Sequence, residues 1–468
     1  MRRGTRVGEP ALRGKRVTVV GLARSGFAAC KLLADRGARV VATDREPAEK
    51  LRVDLEALRR MGIRLETGGH TEASFLEADL IVLSPGVDAK VPLVAQAAAR
   101  GIPVWSEVEL AYRVTAARFL AVTGTNGKST TTSLLGAMVE AAGFPGVVAG
   151  NIGTALCEVV PALSAAHWVT AELSSFQLET IVTFRPHVAL LLNLAPDHLD
   201  RYPGVESYYA AKARIFMNQA AEDVAVINAD DPPIRDYARA IRARVHRFSR
   251  REPVRVGAYL DGDRLVLARD GRPEPICAVS AVRIQGVHNI ENALAAAAGA
   301  AAIGVPAAAM AEALARFPGL PHRLEPVATI AGVHYVNDSK GTNVGAVVKS
   351  LEGYAGGVIL IAGGKDKGGD FTPLRPLLAS RVRTAILIGQ ARGKLCAQLA
   401  GACPLEEAPT LEAAVRRGAE IARPGDTVLL SPACASFDMF RDFEHRGEMF
   451  RQAVRGLASP GSGGERAG

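Results

Sequence analysis

Short apolar runs recur along the chain, each followed by a stretch with helical spacing. Within residues 15–106 the runs are 16–22 (RVTVVGL), 39–44 (RVVATD), 79–84 (DLIVLS) and 102–106 (IPVWS). Between them, the pattern predicts helices over 25–36, 47–61 and 91–100. Strands alternating with helices in this way predict a parallel, doubly wound sheet. The alternation restarts at 118–124 (RFLAVTG), with further strands at 167–173, 187–193 and 223–228. A strand-rich insert over 245–284 follows, carrying an Asp261-Gly262 turn, and then two alanine-rich helices. A third α/β stretch begins after residue 320, with strands at 325–330, 333–337, 358–364, 384–389 and 426–431. The last ten residues, SPGSGGERAG, read as a disordered tail.

The chain's 468 residues suit about three domains. Its six cysteines (30, 157, 277, 396, 403 and 434) are scattered without a C-x-x-C pair, which predicts reduced thiols in a cytoplasmic protein and no zinc framework. The longest apolar run, 293–311, is mostly alanine and is split by Gly304 and Pro306, so two helices are expected and no membrane insertion. The net charge of +8 is spread along the chain without a long basic cluster. This fits a solvated basic surface, the usual case, or an anionic ligand, and does not support a nucleic-acid face. Arginine outnumbers lysine 45 to 11, and five of the lysines (128, 212, 340, 365 and 367) fall inside polar motifs. A lysine that stays lysine in such a chain suggests chemistry that arginine cannot perform.

The stretch 123-TGTNGKSTTTSLL-135 departs from the usual phosphate-loop pattern G-x-x-x-x-G-K-[ST], because Val122 stands where the first glycine belongs. Its context still fits: a strand ends at Thr123 and a helix starts near Lys128. Gly124 and Gly127 allow a tight turn with inward N–H groups, Lys128 supplies a point charge for phosphates, and Ser129 or Thr130 can hold Mg²⁺. The first segment carries a weaker turn, G-x-A-x-x-G from Gly21 to Gly26, with Ala23 in place of the second fingerprint glycine and Asp44 at the ribose-acid spacing. An NAD site is disfavoured there, while another diphosphate could sit on that helix N-terminus. Glu172 ends an apolar strand, a position that suits a magnesium ligand. Asp197, His198, Asp200 and Arg201 break out of the strand at 187–193, and Lys212 lies on a helix ten residues past Tyr202. Asn289 and Asn292 share one helix face, and Arg323 sits at the join to the third segment. The loops 337-NDSKGTN-343, 363-GGKDKGGDF-371 and 431-SPACASFDMF-440 each follow a strand and bring charges or hydroxyls to its carboxyl end.

These motifs, with GNIG, ELSSFQLE, DHLDRY, AAKARI, GVHNIENALAA and HRLE, appear in the order seen in the Mur ligases, which the chain resembles over nearly its whole length. Within that family, DHLDRY, NDSKGTN and SPACASFD are most similar to the members that add D-glutamate. The resemblance implies an ATP-dependent, amide-bond-forming enzyme of peptidoglycan precursor synthesis, cytoplasmic and monomeric. Its expected fold is α/β: a Rossmann-like parallel sheet over 1–106 for the UDP substrate, a central P-loop ATPase-like domain over 107–320, and a Rossmann-like α/β domain over 321–468 for the amino acid. The implied partners are ATP, Mg²⁺, UDP-N-acetylmuramoyl-L-alanine and D-glutamate.

The resemblance also implies roles by position. ATP would be held by Gly124, Thr125, Asn126, Gly127, Lys128, Ser129, Thr130 and Asn292, with Asn289 towards the adenine, Asp338 at the ribose, and Arg323 and Lys340 facing phosphates. The UDP substrate would meet Gly21, Leu22, Ser25, Asp44, Ser84, Gly86, Asn151 and His198. D-Glutamate would meet Thr342, Lys367, Ser436 and Phe443. Lys128, Glu172, His198 and Lys212 would be catalytic; Ser129, Thr130, Glu172, His198 and Lys212 would hold metal, the lysine as the carbamate N6-carboxylysine. Ala23, Gly341 (often alanine) and Phe437 (commonly leucine) depart from the family pattern. The competing readings explain less. A sister ligase fits the C-terminal motifs less well, an NAD-dependent dehydrogenase leaves the Gly-Lys-Ser loop unused, and a nucleotide-binding regulator gives Glu172, His198 and Lys212 no joint purpose.

Overall fold

The computed structural model describes residues 10–458 apart from Asp200, Gln285 and Lys367. The predicted tail therefore lies outside the described residues. The chain divides into two compact units. The first ends at Arg283 and takes in Asn289–Phe317; the second comprises Ile284–His288 and the chain from Pro318.

The first unit contains two sheets. Strands β1 (Arg16–Val20), β2 (Arg39–Asp44), β3 (Arg64–Thr67), β4 (Leu80–Leu83) and β5 (Val104–Ser106) form a parallel sheet in the order β3-β2-β1-β4-β5. The order reverses between β1 and β4, so their carboxyl ends open a crevice of the kind that takes nucleotides. The expected helix over 47–61 is instead a short 3-10 turn, Ala48–Lys50, and a helix, Leu55–Arg60. Asp54 starts the latter by accepting from the Ala57 N–H, which breaks the longer pattern. The strand β3 was not expected: RLET is polar and sits at the sheet edge, so apolar spacing gives it no signal.

The second sheet of this unit has nine strands: β6 (Arg118–Thr123), β7 (Gly146–Gly150), β8 (Trp168–Glu172), β9 (Val188–Leu191), β10 (Val224–Asn228), β11 (Arg244–Ser249), β12 (Gly257–Asp261), β13 (Arg264–Arg269) and β14 (Arg272–Ala278). Their order is β14-β13-β12-β11-β10-β9-β6-β8-β7. From β7 to β12 the pairing is parallel, and the Asp261-Gly262 turn leads into the antiparallel β12–β13 pair as expected, with Gly262 at φ +55°. Strand β6 is an interior strand with an apolar, buried run at Phe119–Val122, flanked by β8 and β9, so the loops after these three strands emerge side by side. The alanine-rich run forms two helices, Val287–Ala302 and Ala307–Arg316. Among the described residues no helix is long and apolar enough to cross a membrane.

The second unit carries β15 (Glu325–Ile330), β16 (Val333–Asn337), β17 (Val358–Gly363), β18 (Val382–Ile388), β19 (Leu405–Glu407) and β20 (Thr427–Leu430) in the order β15-β16-β20-β17-β18-β19. All are parallel except β15, which pairs antiparallel with β16 at the edge. Helices cover both faces, with separate apolar cores on the two sides of the sheet. The α/β class expected from the sequence is the class observed.

Candidate active site

The loop after β6 is built as a phosphate cradle. Gly124 has φ +155° and Gly127 φ +82°, and Gly127 is the N-cap of the helix Lys128–Ala141. A side chain at Gly127 would place its Cβ 2.3 Å from Asn292 Oδ1, and one at Gly124 would reach 2.9 Å from Leu192 Cβ. Both glycines are therefore required by conformation and by space. Lys128 Nζ donates to Gly124 O at 3.0 Å and to Thr125 O at 2.8 Å. Ser129 and Thr130 are buried in the first helical turn.

Neighbouring strands hold this loop. Asn193, just after β9, accepts from Asn126 N through Oδ1 at 2.8 Å and donates from Nδ2 to Asn126 O at 3.0 Å. Thr125 Oγ1 donates to Ala195 O at 3.1 Å and accepts from Ala195 N at 3.0 Å. Asn292 accepts at Oδ1 from Thr131 Oγ1 (3.2 Å) and donates to Asn289 Oδ1 (3.1 Å), so the predicted asparagine pair does share a face, and Asn292 meets the loop. Sequence reading gave no role to Asn193. Its only signal was an amide at the end of an apolar strand.

Two ionisable groups are buried beside the cradle. Glu172 ends β8 and is 2% exposed; its Oε1 accepts from Asn151 Nδ2 at 2.8 Å, while Oε2 has no hydrogen-bond partner among the described residues. Lys212 lies on the helix Val205–Ala213, as expected, and is 1% exposed. Its Nζ donates to Gly124 O at 2.7 Å and lies 4.6 Å from the centre of the Tyr208 ring. Burial holds the Lys212 amine well below the ordinary lysine pKa, and the positive charge of Lys128 pushes the same way, against the pull of Asp197 and Glu172. The sequence thus placed Lys128, Glu172 and Lys212 in one neighbourhood. His198 has φ +55° and its ring packs 4.9 Å edge-on to Phe176, with Nε2 3.8 Å from Asp197 Oδ2. Among the described residues no three histidine, cysteine, aspartate or glutamate side chains gather as a metal cluster. The orphaned Glu172 oxygen nevertheless fits a hard cation, with the Ser129 and Thr130 hydroxyls on the adjoining helix turn.

Of the predicted UDP residues, Gly21, Leu22, Ser25, Asp44, Ser84 and Gly86 lie at or just after the carboxyl ends of β1, β2 and β4, whereas Asn151 meets Glu172 at the end of β8 and His198 lies in the loop after β9. Gly21 (φ +90°) closes the turn, and a side chain there would meet Val87 Cγ2 at 2.8 Å. Ser84 Oγ donates to Gly21 O at 2.7 Å. Gly26 packs so closely on this turn that an added Cβ would lie 1.8 Å from Gly21 O. Leu22 and Ser25 are buried, while the space around Gly86 is open. Asp44, expected at the ribose, accepts from the N–H groups of Leu22 (2.7 Å) and Glu46 (2.9 Å) and so also shapes the turn.

In the second unit, Asp338 follows β16 and Ser431 follows β20. Asp338 Oδ2 accepts from Ser350 Oγ (2.7 Å) and Ser431 Oγ (2.6 Å), and burial raises its pKa. Gly341 is explained here: a Cβ would come within 2.8 Å of Asp338 Oδ2 and Ser431 Oγ. Lys340 Nζ lies 3.5 Å from the centre of the Phe443 ring. Arg323 sits between His322 and Leu324, both non-glycine residues with positive φ, a local strain that marks functional loops. Thr342 donates its N–H to Lys340 O, Ser436 is buried, and Lys367 lies outside the described residues. Phe437 is 68% exposed and lines a cleft of about 490 Å³ with Lys365, Gln390 and Asp438.

Arg446 had no place in the sequence reading, yet it ties this site together. It is 0% exposed and donates to Ser339 Oγ (3.0 Å), Ser339 O (2.8 Å) and Cys434 O (3.2 Å). Burial lowers its pKa to about 10.

Three family models match the chain. A model described as the MurD-like Mur ligase N-terminal domain matches residues 15–106, the Mur ligase middle domain matches 122–300, and the Mur ligase glutamate ligase domain matches 322–434. The chain belongs to the Mur ligase family. It is 48% identical to the UDP-N-acetylmuramoylalanine--D-glutamate ligase of Geotalea uraniireducens, over 95% of this chain and 98% of that one. It is 46% identical to the enzyme of the same name from Acidobacterium capsulatum, over 96% and 98%. Two solved structures share the fold at 18% identity and a TM-score of 0.59, each over 95% of this chain and 100% of the other: a pseudomurein peptide ligase type C from Methanothermus fervidus and the UDP-N-acetylmuramate-alanine ligase of Thermotoga maritima.

Proposed function

We propose that this Mur ligase joins D-glutamate to UDP-N-acetylmuramoyl-L-alanine at the expense of ATP, in the cytoplasm, as a monomer. The observation that carries the chemistry is the group beside the cradle: half-buried Lys128, a buried Lys212 whose amine burial holds well below the ordinary lysine pKa, and a buried Glu172 oxygen without a partner among the described residues. The choice of amino acid rests on near-full-length similarity to D-glutamate ligases.

In this reading residues 1–106 hold the UDP end of the acceptor, 107–320 hold ATP, and 321–468 hold the amino acid. The alanyl carboxylate attacks the γ-phosphorus, giving an acyl phosphate and ADP. The D-glutamate amine then attacks the acyl carbon, the C–O bond breaks, and phosphate leaves with one oxygen of the original carboxylate. Amide formation from a free carboxylate is uphill in water, so cleavage of ATP drives it. Most of the rate acceleration is then electrostatic positioning.

Lys128 neutralises phosphate charge, with Arg323 and Lys340 assigned to the same task. Asn289 faces the base and Asp338 the ribose. Glu172, Ser129, Thr130, His198 and Lys212 as its carbamate are the residues that would hold Mg²⁺; bound there, it supplies charge neutralisation at the transferring phosphoryl group. A neutral amine is the form that adds CO₂, losing a proton to become a carbamate, and the burial of Lys212 favours that form. Thr342, Lys367, Ser436 and Phe443 are assigned to D-glutamate, and Asn151 to the acceptor. The test is phosphate release from ATP with UDP-N-acetylmuramoyl-L-alanine and a panel of amino acids. Stimulation by D-glutamate alone is expected; preference for L-alanine or a diamino acid would replace the assignment with a sister activity.

A further inference from the structure

Arg201 stands in the His198 loop but its side chain leaves it. On the loop side, the N–H groups of Arg201 and Tyr202 both donate to His198 O at 3.0 Å. The guanidinium lies 4.0 Å from the centre of the Phe176 ring, the same ring that packs edge-on to His198. On the other side it reaches the N-terminal sheet: Nη2 donates to Val87 O at 3.2 Å and Nη1 to Pro85 O at 3.4 Å. Those carbonyls belong to the loop after β4, whose Val87 and Ser84 pack on Gly21 at the nucleotide crevice. Glu179 orients the group, accepting from Arg201 Nη2 at 2.8 Å with one oxygen and from the Tyr202 hydroxyl with the other. Both charged side chains are largely buried, at 15% and 19% exposure.

One planar fork thus meets two carbonyls, a carboxylate and an aromatic face. Lysine has the charge but neither the fork nor the flat face to do this. The two loops it joins both carry residues assigned to the acceptor: Ser84 and Gly86 on the nucleotide side, and His198, assigned also to the metal at the reacting end, on the other. We propose that Arg201, oriented by Glu179, is a positioning residue that fixes the separation between the nucleotide-binding turn and the His198 loop, so that the acceptor's diphosphate and its reacting carboxylate are held together. This rests on the acceptor assigned above. A long acceptor is bound well only if both ends fit at once, and binding energy at the remote end then serves the reacting end.

The test compares the full-length wild type with Arg201→Lys, Glu179→Gln and the double variant. Calorimetry reads the Kd of UDP-N-acetylmuramoyl-L-alanine, and steady-state kinetics read the three KM values. Arg201→Lys is expected to weaken acceptor affinity by about tenfold or more, the scale set by losing organised charge-assisted hydrogen bonds. KM for ATP and for D-glutamate should stay within about twofold, and the unfolding midpoint within about 2 °C. Glu179→Gln should act in the same direction, and the double variant should be no worse than Arg201→Lys, because the two act as one unit. Unchanged acceptor affinity in Arg201→Lys overturns the proposal, as does a parallel loss in all three KM values and the midpoint. The calorimetric arm separates this claim from the reaction itself. A wild type that binds the acceptor but releases no phosphate with D-glutamate sinks the activity, and the Arg201→Lys titration still decides the positioning role.

Discussion

Replacing Lys212 with methionine separates a structural lysine from a chemical one. The side chain is 1% exposed, so methionine fills nearly the same buried volume. What is lost is the hydrogen bond from Nζ to Gly124 O, worth about 1 kcal/mol. What is gained is relief from burying an amine that burial already forces towards neutrality. The two oppose each other, so net stability should change by no more than about 1 kcal/mol, a midpoint shift of about 1 °C in a chain of this size. Activity should respond on another scale. If Lys212 becomes a carboxylate at the phosphoryl-transfer centre, its removal takes away electrostatic stabilisation of about 3–4 kcal/mol, or roughly a thousandfold in kcat. Lys212→Arg should be equally inactive although it keeps a long basic side chain, since a guanidinium forms no such carbamate. The assays are phosphate release, thermal unfolding, and carbon NMR after exposure to ¹³C-bicarbonate, where the wild type should show a carbamate carbon that Lys212→Met lacks. Activity within about threefold of wild type in Lys212→Met would refute the reasoning, because it would leave the residue no more than the fraction of a kcal/mol that a factor of three represents.

Other consequences follow from the cradle and from the join between the two sheets of the first unit. Gly127→Ala puts a Cβ 2.3 Å from Asn292 Oδ1 at φ +82°, a strain of about 1–2 kcal/mol before any clash, so KM for ATP should rise by about tenfold or more; an unchanged KM would mean the loop does not cradle phosphate. Glu107 is fully buried beside Cys157, whose N–H donates to its Oε1 at 2.6 Å, and burial raises its pKa from 4.5 to about 7. The folded pKa lies above the unfolded one, so this carboxyl's contribution is full below pH 4.5 and is lost as pH rises through about 7. Up to about 3 kcal/mol should disappear across that window, and Glu107→Gln should flatten the fall in unfolding midpoint; parallel pH profiles would contradict this.

Much of this architecture was legible because it depends on local pattern. The three restarts of strand and helix, the Gly-Lys-Ser turn at the end of an apolar strand, the helix bearing Lys212 and the Asp261-Gly262 turn all announce themselves within a few residues. What stayed hidden depends on tertiary register. Asn193 matters only because β9 lies beside β6, which aims its amide at Asn126. Arg446 is one arginine among 45, and nothing local indicates that it is buried with backbone carbonyls as partners. Asp44 has the spacing of a ribose acid, yet its carboxylate also accepts from Leu22 N and shapes the turn, a contact set by the β1–β2 pairing. The strand β3 and the division of the 47–61 helix were missed for a related reason: an edge strand and a short capped helix carry too few buried positions to impose a period.

In the proposed mechanism the acceptor carboxylate is activated as an acyl phosphate before D-glutamate attacks it. Acceptor labelled with ¹⁸O in the alanyl carboxylate tests this directly, by mass spectrometry of the phosphate released in the presence of ATP and D-glutamate. One ¹⁸O atom is predicted in each phosphate. Turnover that yields the D-glutamyl product with unlabelled phosphate would contradict the claim.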